Sequence, residues 1–231
     1  MKKSCYGIAL SENGRYVLAR LRHAKGRWSL GGVSSWDQGN RFRSILLLAK
    51  GVLVGVPSCW QRSTASVNEE EYGIAEAGSY CALVSRADLG LYTGALTNNL
   101  LGTVTDDAFL VTLPLIFGNP TITSFVAVCR EKGFFRIGLI LNGRLRMVFR
   151  LAPDAPEALE GHLGRLRRYF HRAGSQESYP SYLYLLGTTA SQPEVDGLAV
   201  VSLKIPGLEL KQADNIDSMR AAGVALVPQV E

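Results

Sequence analysis

The sequence contains no GxxxxGK[ST] loop and no GxSxG elbow, which excludes a P-loop enzyme and a nucleophile-elbow hydrolase. Metal chemistry has little to draw on. There are three histidines, His23, His162 and His171, and they form no HExxH pattern. The four cysteines, Cys5, Cys59, Cys81 and Cys129, make no CxxC pair and lie at no metal spacing from a histidine. Free thiols in a reducing cytosol are expected, not disulfides or zinc. Ser58-Cys59 lacks a placed histidine and reads as a strand end with a buried thiol, not as a nucleophile. Long apolar runs are also missing. The most apolar stretch, ILLLAKGVLVGV (45–56), is divided by Lys50 and is too short to span a bilayer. MKKSCYGIALSENGR opens with two lysines, but its apolar run breaks at Ser11-Glu12-Asn13, too early for an export signal. A cytoplasmic chain is expected.

What is present is an ordinary globular balance, with 47% apolar and 19% charged residues in a chain of 231. That length suits one large domain or two modest ones. The 24 glycines point to many turns and a strand-rich chain. A net charge of +5 is compatible with an acidic partner, an anionic membrane face or nucleic acid, and equally with none of these.

Strand and turn signals come in two groups. CYGIALS, RYVLARLRHA and GRWSLGGV read as a three-strand meander, joined by ENG and Lys25-Gly26. RFRSILLLAKG (41–51) reads as a short helix and VLVGVP as a buried strand. VNEEEYGIAEAGSY suggests a helical piece. The Leu- and Thr-rich segment after it suggests short strands or loops, and AFLVTLPLIFG a strand. TSFVAVC, FRIGLIL and RLRMVFR form a second meander. In it Phe135, Ile137, Leu139 and Leu141 share a face, and Leu145, Met147 and Phe149 share another. Asn142-Gly143 is the strongest two-residue hairpin signal in the chain. PDAPEALEGHLGRLRRYFHRAG (153–174) is a helix whose stripe is Leu159, Leu163, Leu166 and Phe170, capped by Gly174. SYLYLLG, LAVVSLKI and LELKQA follow as strands, and NIDSMRAAGVALV as a helix lined with small residues. Each half is thus a meander, a helix and a single apolar strand, repeated in architecture without close identity.

Two charged features stand out. Asp106-Asp107 reads as a turn or helix cap, because neighbours on a strand face opposite ways. The run Arg165 to Arg172 completes an apolar helix stripe, so its arginines form the solvated face and suit the helix C-terminus. Arg165, Arg168 and Arg172 are the positions it offers to an acidic protein partner or to anionic lipid headgroups; nucleic acid is not expected.

The tandem meanders, with LILNGRLRMVFR, then YLYLLGTTASQPEVDGLA and LELKQADNID…AAGVAL, resemble the actin-like ATPase superfamily. Within it they look most like the pilus assembly protein PilM and the cytoplasmic part of the secretion protein GspL. The resemblance runs from about Ser124 to Val227 and is architectural over the first half. It implies an α/β, ribonuclease H-like fold of two subdomains, 1–120 with the N-terminal meander and 121–231 with the second. In each the mixed sheet carries an antiparallel three-strand meander plus helices.

The resemblance also implies where a nucleotide sits: Ser11, Asn13 and Gly14 in the first turn, Lys132 and Gly133 in the second, and Gly187, Thr188 and Thr189 on the adenosine side. The superfamily's strand pattern of Gly-Ile-Asp-Leu-Gly type is here Gly7-Ile8-Ala9-Leu10-Ser11, and its second Asp-x-Gly is Cys129-Arg130-Glu131. Glu131 adds charge and bulk where a phosphate must sit, and the metal-side carboxylates are gone. The expectation is a non-catalytic adaptor without cofactor, held at the inner membrane by a membrane-anchored pilus or secretion protein or by a secretion ATPase. Homodimerisation is left open. The alternative is an active protein of the same superfamily that uses ATP and magnesium, or a small-molecule kinase.

Overall fold

A computed structural model describes residues 3–10, 15–24, 27–37, 52–61, 67–77, 80–94, 100–131, 133–151, 156–172, 178–186, 194–195, 197–201 and 215–229. Its first sheet holds β1 (Lys3–Leu10), β2 (Arg15–Ala24), β3 (Arg27–Asp37), β4 (Val52–Val56) and β8 (Leu100–Thr105). Their order is β3-β2-β1-β4-β8. β1 to β3 are an antiparallel meander, and β4 and β8 continue the sheet in parallel. The second sheet holds β9 (Phe125–Arg130), β10 (Phe135–Leu141), β11 (Arg144–Leu151), β12 (Tyr182–Leu186), β13 (Glu194–Val195) and β14 (Leu198–Val201). Its order, β11-β10-β9-β12-β14-β13, repeats the first: a meander, then two parallel strands, with β13 added at the edge. Between β4 and β8 lies a small antiparallel sheet of β5 (Cys59–Gln61), β6 (Tyr72–Ala77) and β7 (Tyr80–Ser85), ordered β5-β7-β6.

The local reasons are visible in the residues. All five residues of β4 are buried, as an uncharged VLVGV flanked on both sides by parallel strands requires. Asn142 and Gly143 both have positive φ, 52° and 75°, the combination that a type I′ turn needs and that Asn-Gly provides at low cost. After that turn a bulge between Leu139 and Ile140 pairs Ile140 with Leu145 and Leu139 with Met147. Leu145 therefore packs in a different cluster from Met147 and Phe149, and the expected shared face of these three is corrected. Leu163, Leu166 and Phe170 of α3 (Pro156–Arg172) are buried against β9, β10 and β12, as the stripe predicts.

Three sequence expectations change. Residues 67–77 are not helical. The glutamates sit in an exposed turn, where Asn68 Oδ1 accepts the Glu70 N–H at 3.0 Å, and the chain then pairs as β6 with β7. Arg86–Gly94 forms a helix, α1, not strands or loops. AFLVTLPLIFG holds no strand either. Asp106–Thr112 is a 3-10 helix that runs into α2 (Leu113–Ile116). Pro114 lies in the first turn of α2, where its missing N–H costs nothing, and Phe109, Leu110 and Leu113 recur at helical spacing to bury one side. The helix expected at 41–51, the cap at Gly174 and the strand expected at LELKQA lie outside the described residues.

These short helices share one apolar core with both sheets: Leu53, Phe109, Leu110, Phe125, Ile140 and Val224 belong to a single buried cluster. The helix α4 (Asn215–Leu226) lies on the first sheet, against Ala9, Val17, Ala19 and Leu21. Its small residues let it come very close. A Cβ added at Gly7 on β1 would lie 2.2 Å from the Ala221 carbonyl oxygen and 2.5 Å from the Ala225 nitrogen.

Candidate functional site

Five buried charged side chains meet between the two sheets. Asp106 and Asp107 stand in the first turn of the 3-10 helix, directly after β8. Glu131 follows β9, in a turn closed by its own N–H donating to the Phe134 carbonyl at 2.9 Å. Arg136 comes from β10, where it pairs across the ladder with Cys129. Arg220 comes from α4. Arg136, Asp106 and Asp107 are at most 1% exposed. Unpaired, each would carry a large desolvation cost, so the partners decide the arrangement.

Arg136 is the hub. Its Nη1 donates to Asp106 Oδ2 at 3.1 Å and to Asp107 Oδ1. Its Nη2 donates to Glu131 Oε2 at 3.2 Å, and its Nε lies 2.5 Å from Oε1, an ion contact outside hydrogen-bond geometry. Arg220 Nη2 donates to Asp106 Oδ2 at 2.7 Å, and its Nη1 lies 3.4 Å from Asp217 Oδ1 and 3.8 Å from Glu131 Oε2. Ser58 Oγ and Trp60 Nε1 donate to Asp107 Oδ2 at 2.6 and 2.9 Å. At the rim, Arg150 is 41% exposed, lies 3.9 Å from Asp106 Oδ1, and covers the Phe134 ring at 5.5 Å.

The two aspartates titrate in opposite directions. Burial pushes the Asp106 carboxyl up, but Arg136, Arg220 and Arg150 together hold it below its ordinary value. Burial, then the charge of Asp106, push Asp107 above its ordinary value, and Arg136 and the Ser58 hydrogen bond do not offset them. Arg136 is held firmly charged: its burial works against this, and the three carboxylates outweigh it. At the end of β9, burial and then Glu131 drive the Cys129 thiol far up, so it is no thiolate nucleophile. The arrangement is an ion-paired clamp between the sheets, with no carboxylate left free as a general base. Among the described residues no group of three or more His, Cys, Asp or Glu is arranged to hold a metal.

The sequence-derived positions divide as follows. Gly133 is exposed in the Glu131–Phe134 turn, and Arg165 and Arg168 are exposed on α3, where Arg168 Nε donates to the Gly164 carbonyl at 3.3 Å. Arg172 is the last residue of α3. Arg165 and Arg168 are not part of the clamp. Ser11, Asn13, Gly14, Lys132, Gly187, Thr188 and Thr189 lie outside the described residues. Ala9 is fully buried against α4. Cys59 is exposed and Ser58 buried, the reverse of the thiol burial expected there. Asp106-Asp107 does sit at a helix start, but in the core and not in a polar turn. Arg136 and Arg220 were not singled out by sequence reading; the one hint was an arginine inside the apolar run FRIGLIL.

The sheet order is duplicated, meander plus two parallel strands in each half, with a shared core between the halves. This is the duplicated architecture that the actin-like resemblance implies. No family model matches the sequence, and no characterised protein matches it in sequence. In structure the chain is similar to the inorganic polyphosphate/ATP-glucomannokinase of Arthrobacter sp. strain KM, at 14% identity and a TM-score of 0.50 over 99% of each chain. It is also similar to a chain of the PilM–PilN type IV pilus biogenesis complex, at 12% identity and a TM-score of 0.49 over 98% of each. A third similar structure is the cytoplasmic domain of EpsL, an inner membrane component of the type II secretion system of Vibrio cholerae. It has 10% identity and a TM-score of 0.49 over 97% of this chain and 95% of that one. Likeness at such low identity concerns the fold alone, so function is argued from the site. No described helix is long and apolar enough to cross a membrane.

Proposed function

We propose that this chain is a non-catalytic adaptor of a type IV pilus or type II secretion machine, an actin-like pseudo-ATPase that binds a partner protein. One observation carries the reading. In the turn after β9, which the superfamily resemblance assigns to phosphate, the anion is the chain's own Glu131, paired with Arg136 and buried. A nucleotide phosphate there meets a carboxylate, and the cost of two anions at one buried place is large. Glu131 at that turn does not fit a magnesium-bound phosphate. Absence of an ionised, unpaired carboxylate in the clamp supports the same conclusion.

The partner under this reading is a membrane-anchored pilus or secretion protein, or a secretion ATPase, which would keep the chain at the inner membrane. Arg165, Arg168 and Arg172 on α3 suit an acidic surface of such a partner. Calorimetric titration with magnesium-ATP tests the reading. The expected result is no binding in the micromolar range, and micromolar binding would sink it.

A further inference from the structure

We propose that Glu131 is a resident anion: Arg136 and Arg220 form a two-arginine oxyanion site, and Glu131 fills it from within, tying the two sheets together as a bound carboxylate or phosphate would. The inference rests on the adaptor reading above and adds what replaces an external anion.

Geometry carries it. Arg136 turns its Nε–Nη2 edge toward Glu131: Nη2 donates to Oε2 at 3.2 Å, and Nε lies 2.5 Å from Oε1 as an ion contact. Its other nitrogen, Nη1, is taken by Asp106 and Asp107. Arg220 adds Nη1 at 3.8 Å from Glu131 Oε2, and its buried Nε makes no hydrogen bond. The two arginines come from different halves, Arg136 from the second sheet and Arg220 from the helix that lies on the first. An anion between them is therefore a tie across the molecule.

Charge makes the same point. Without Glu131 the Nε–Nη2 edge of Arg136 faces no carboxylate, because Asp106 and Asp107 take only Nη1 and Asp217 pairs with Arg220. The turn that carries Glu131 reaches the surface at the exposed Gly133.

The test is Glu131→Gly, with thermal midpoints measured in sodium chloride, sodium acetate and sodium phosphate at equal ionic strength. Each value is read as a difference from the unmodified protein in the same salt, which removes the general stabilising effect of phosphate. In chloride the variant should melt about 10 °C lower. Acetate or phosphate should return roughly half of that loss. Glu131→Gln, which keeps the bulk and gives no room, should lose stability and gain nothing from either anion. Loss in chloride with no recovery in acetate or phosphate would overturn the proposal. So would equal recovery of Glu131→Gln. If Glu131→Gly does not fold in chloride, refolding in acetate or phosphate supports the proposal, and failure in all three salts overturns it. Magnesium-ATP binding by the unmodified protein would end the adaptor reading and leave this one standing. An unrescued variant does the reverse.

Discussion

At the scale of single residues, two adjacent aspartates do opposite things. Asp106 is stabilised as an anion by three arginines, while Asp107 is penalised as an anion by burial and by its neighbour. Asp106→Asn should therefore cost more stability at neutral pH than Asp107→Asn, read as urea midpoints. Equal losses would mean that the two charges are not distinguished. The pH dependence follows from the signs. Asp106, lowered in the folded state, contributes stability above its unfolded value near 4, and this is lost as pH falls through the lower folded value. Asp107, raised when folded, costs stability as pH rises from near 4 through its folded value. Denaturant titrations should show the acid-side loss blunted in Asp106→Asn and the loss on the rising side blunted in Asp107→Asn. Arg136→Met removes the hub and strands three carboxylates, so a loss of about 3–5 kcal/mol is expected in the same measurement. A loss under about 1 kcal/mol would show that the cluster is solvated or already neutral.

At the scale of elements, close packing of α4 on β1 decides much. Gly7→Ala drives a Cβ into the backbone of Ala221 and Ala225, which cannot swing aside as a side chain can. A loss of about 3 kcal/mol or more is expected. Gly161→Ala on α3 meets open space and should stabilise by about 0.5–1 kcal/mol. Paired melting curves of the two variants check both signs. The elements legible in the sequence were those set by local chemistry. Asn142-Gly143 announced its hairpin because two consecutive positive φ angles select that dipeptide. Leu159, Leu163, Leu166 and Phe170 announced α3 because the stripe has one period. The glutamates before Tyr72 suggested a helix because their propensity is helical, yet cross-strand pairing with β7 overrode it. In DDAFLVTLPLIF the apolar run was continuous and offered no alternation to separate strand from tight helix.

At the scale of the whole molecule, the duplicated meander was legible and the clamp was not. Each meander is a near-neighbour pattern in the chain. The Arg220–Asp106 pair, by contrast, joins residues 114 apart, and no local pattern marks either as the other's partner. Only the fold brings β8, β9, β10 and α4 to one place. Glu131 was legible as a misfit in a phosphate turn, but its two arginines were not, so the sequence showed the departure without showing what fills the space. The clamp joins residues from both sheets and from α4, and on this account it holds the halves together without nucleotide. The most direct measurement is titration of the purified chain with magnesium-ATP in a calorimeter. The account predicts no saturable heat at micromolar concentrations and no change in melting midpoint. Saturable micromolar binding, with a matching rise in the midpoint, would contradict it.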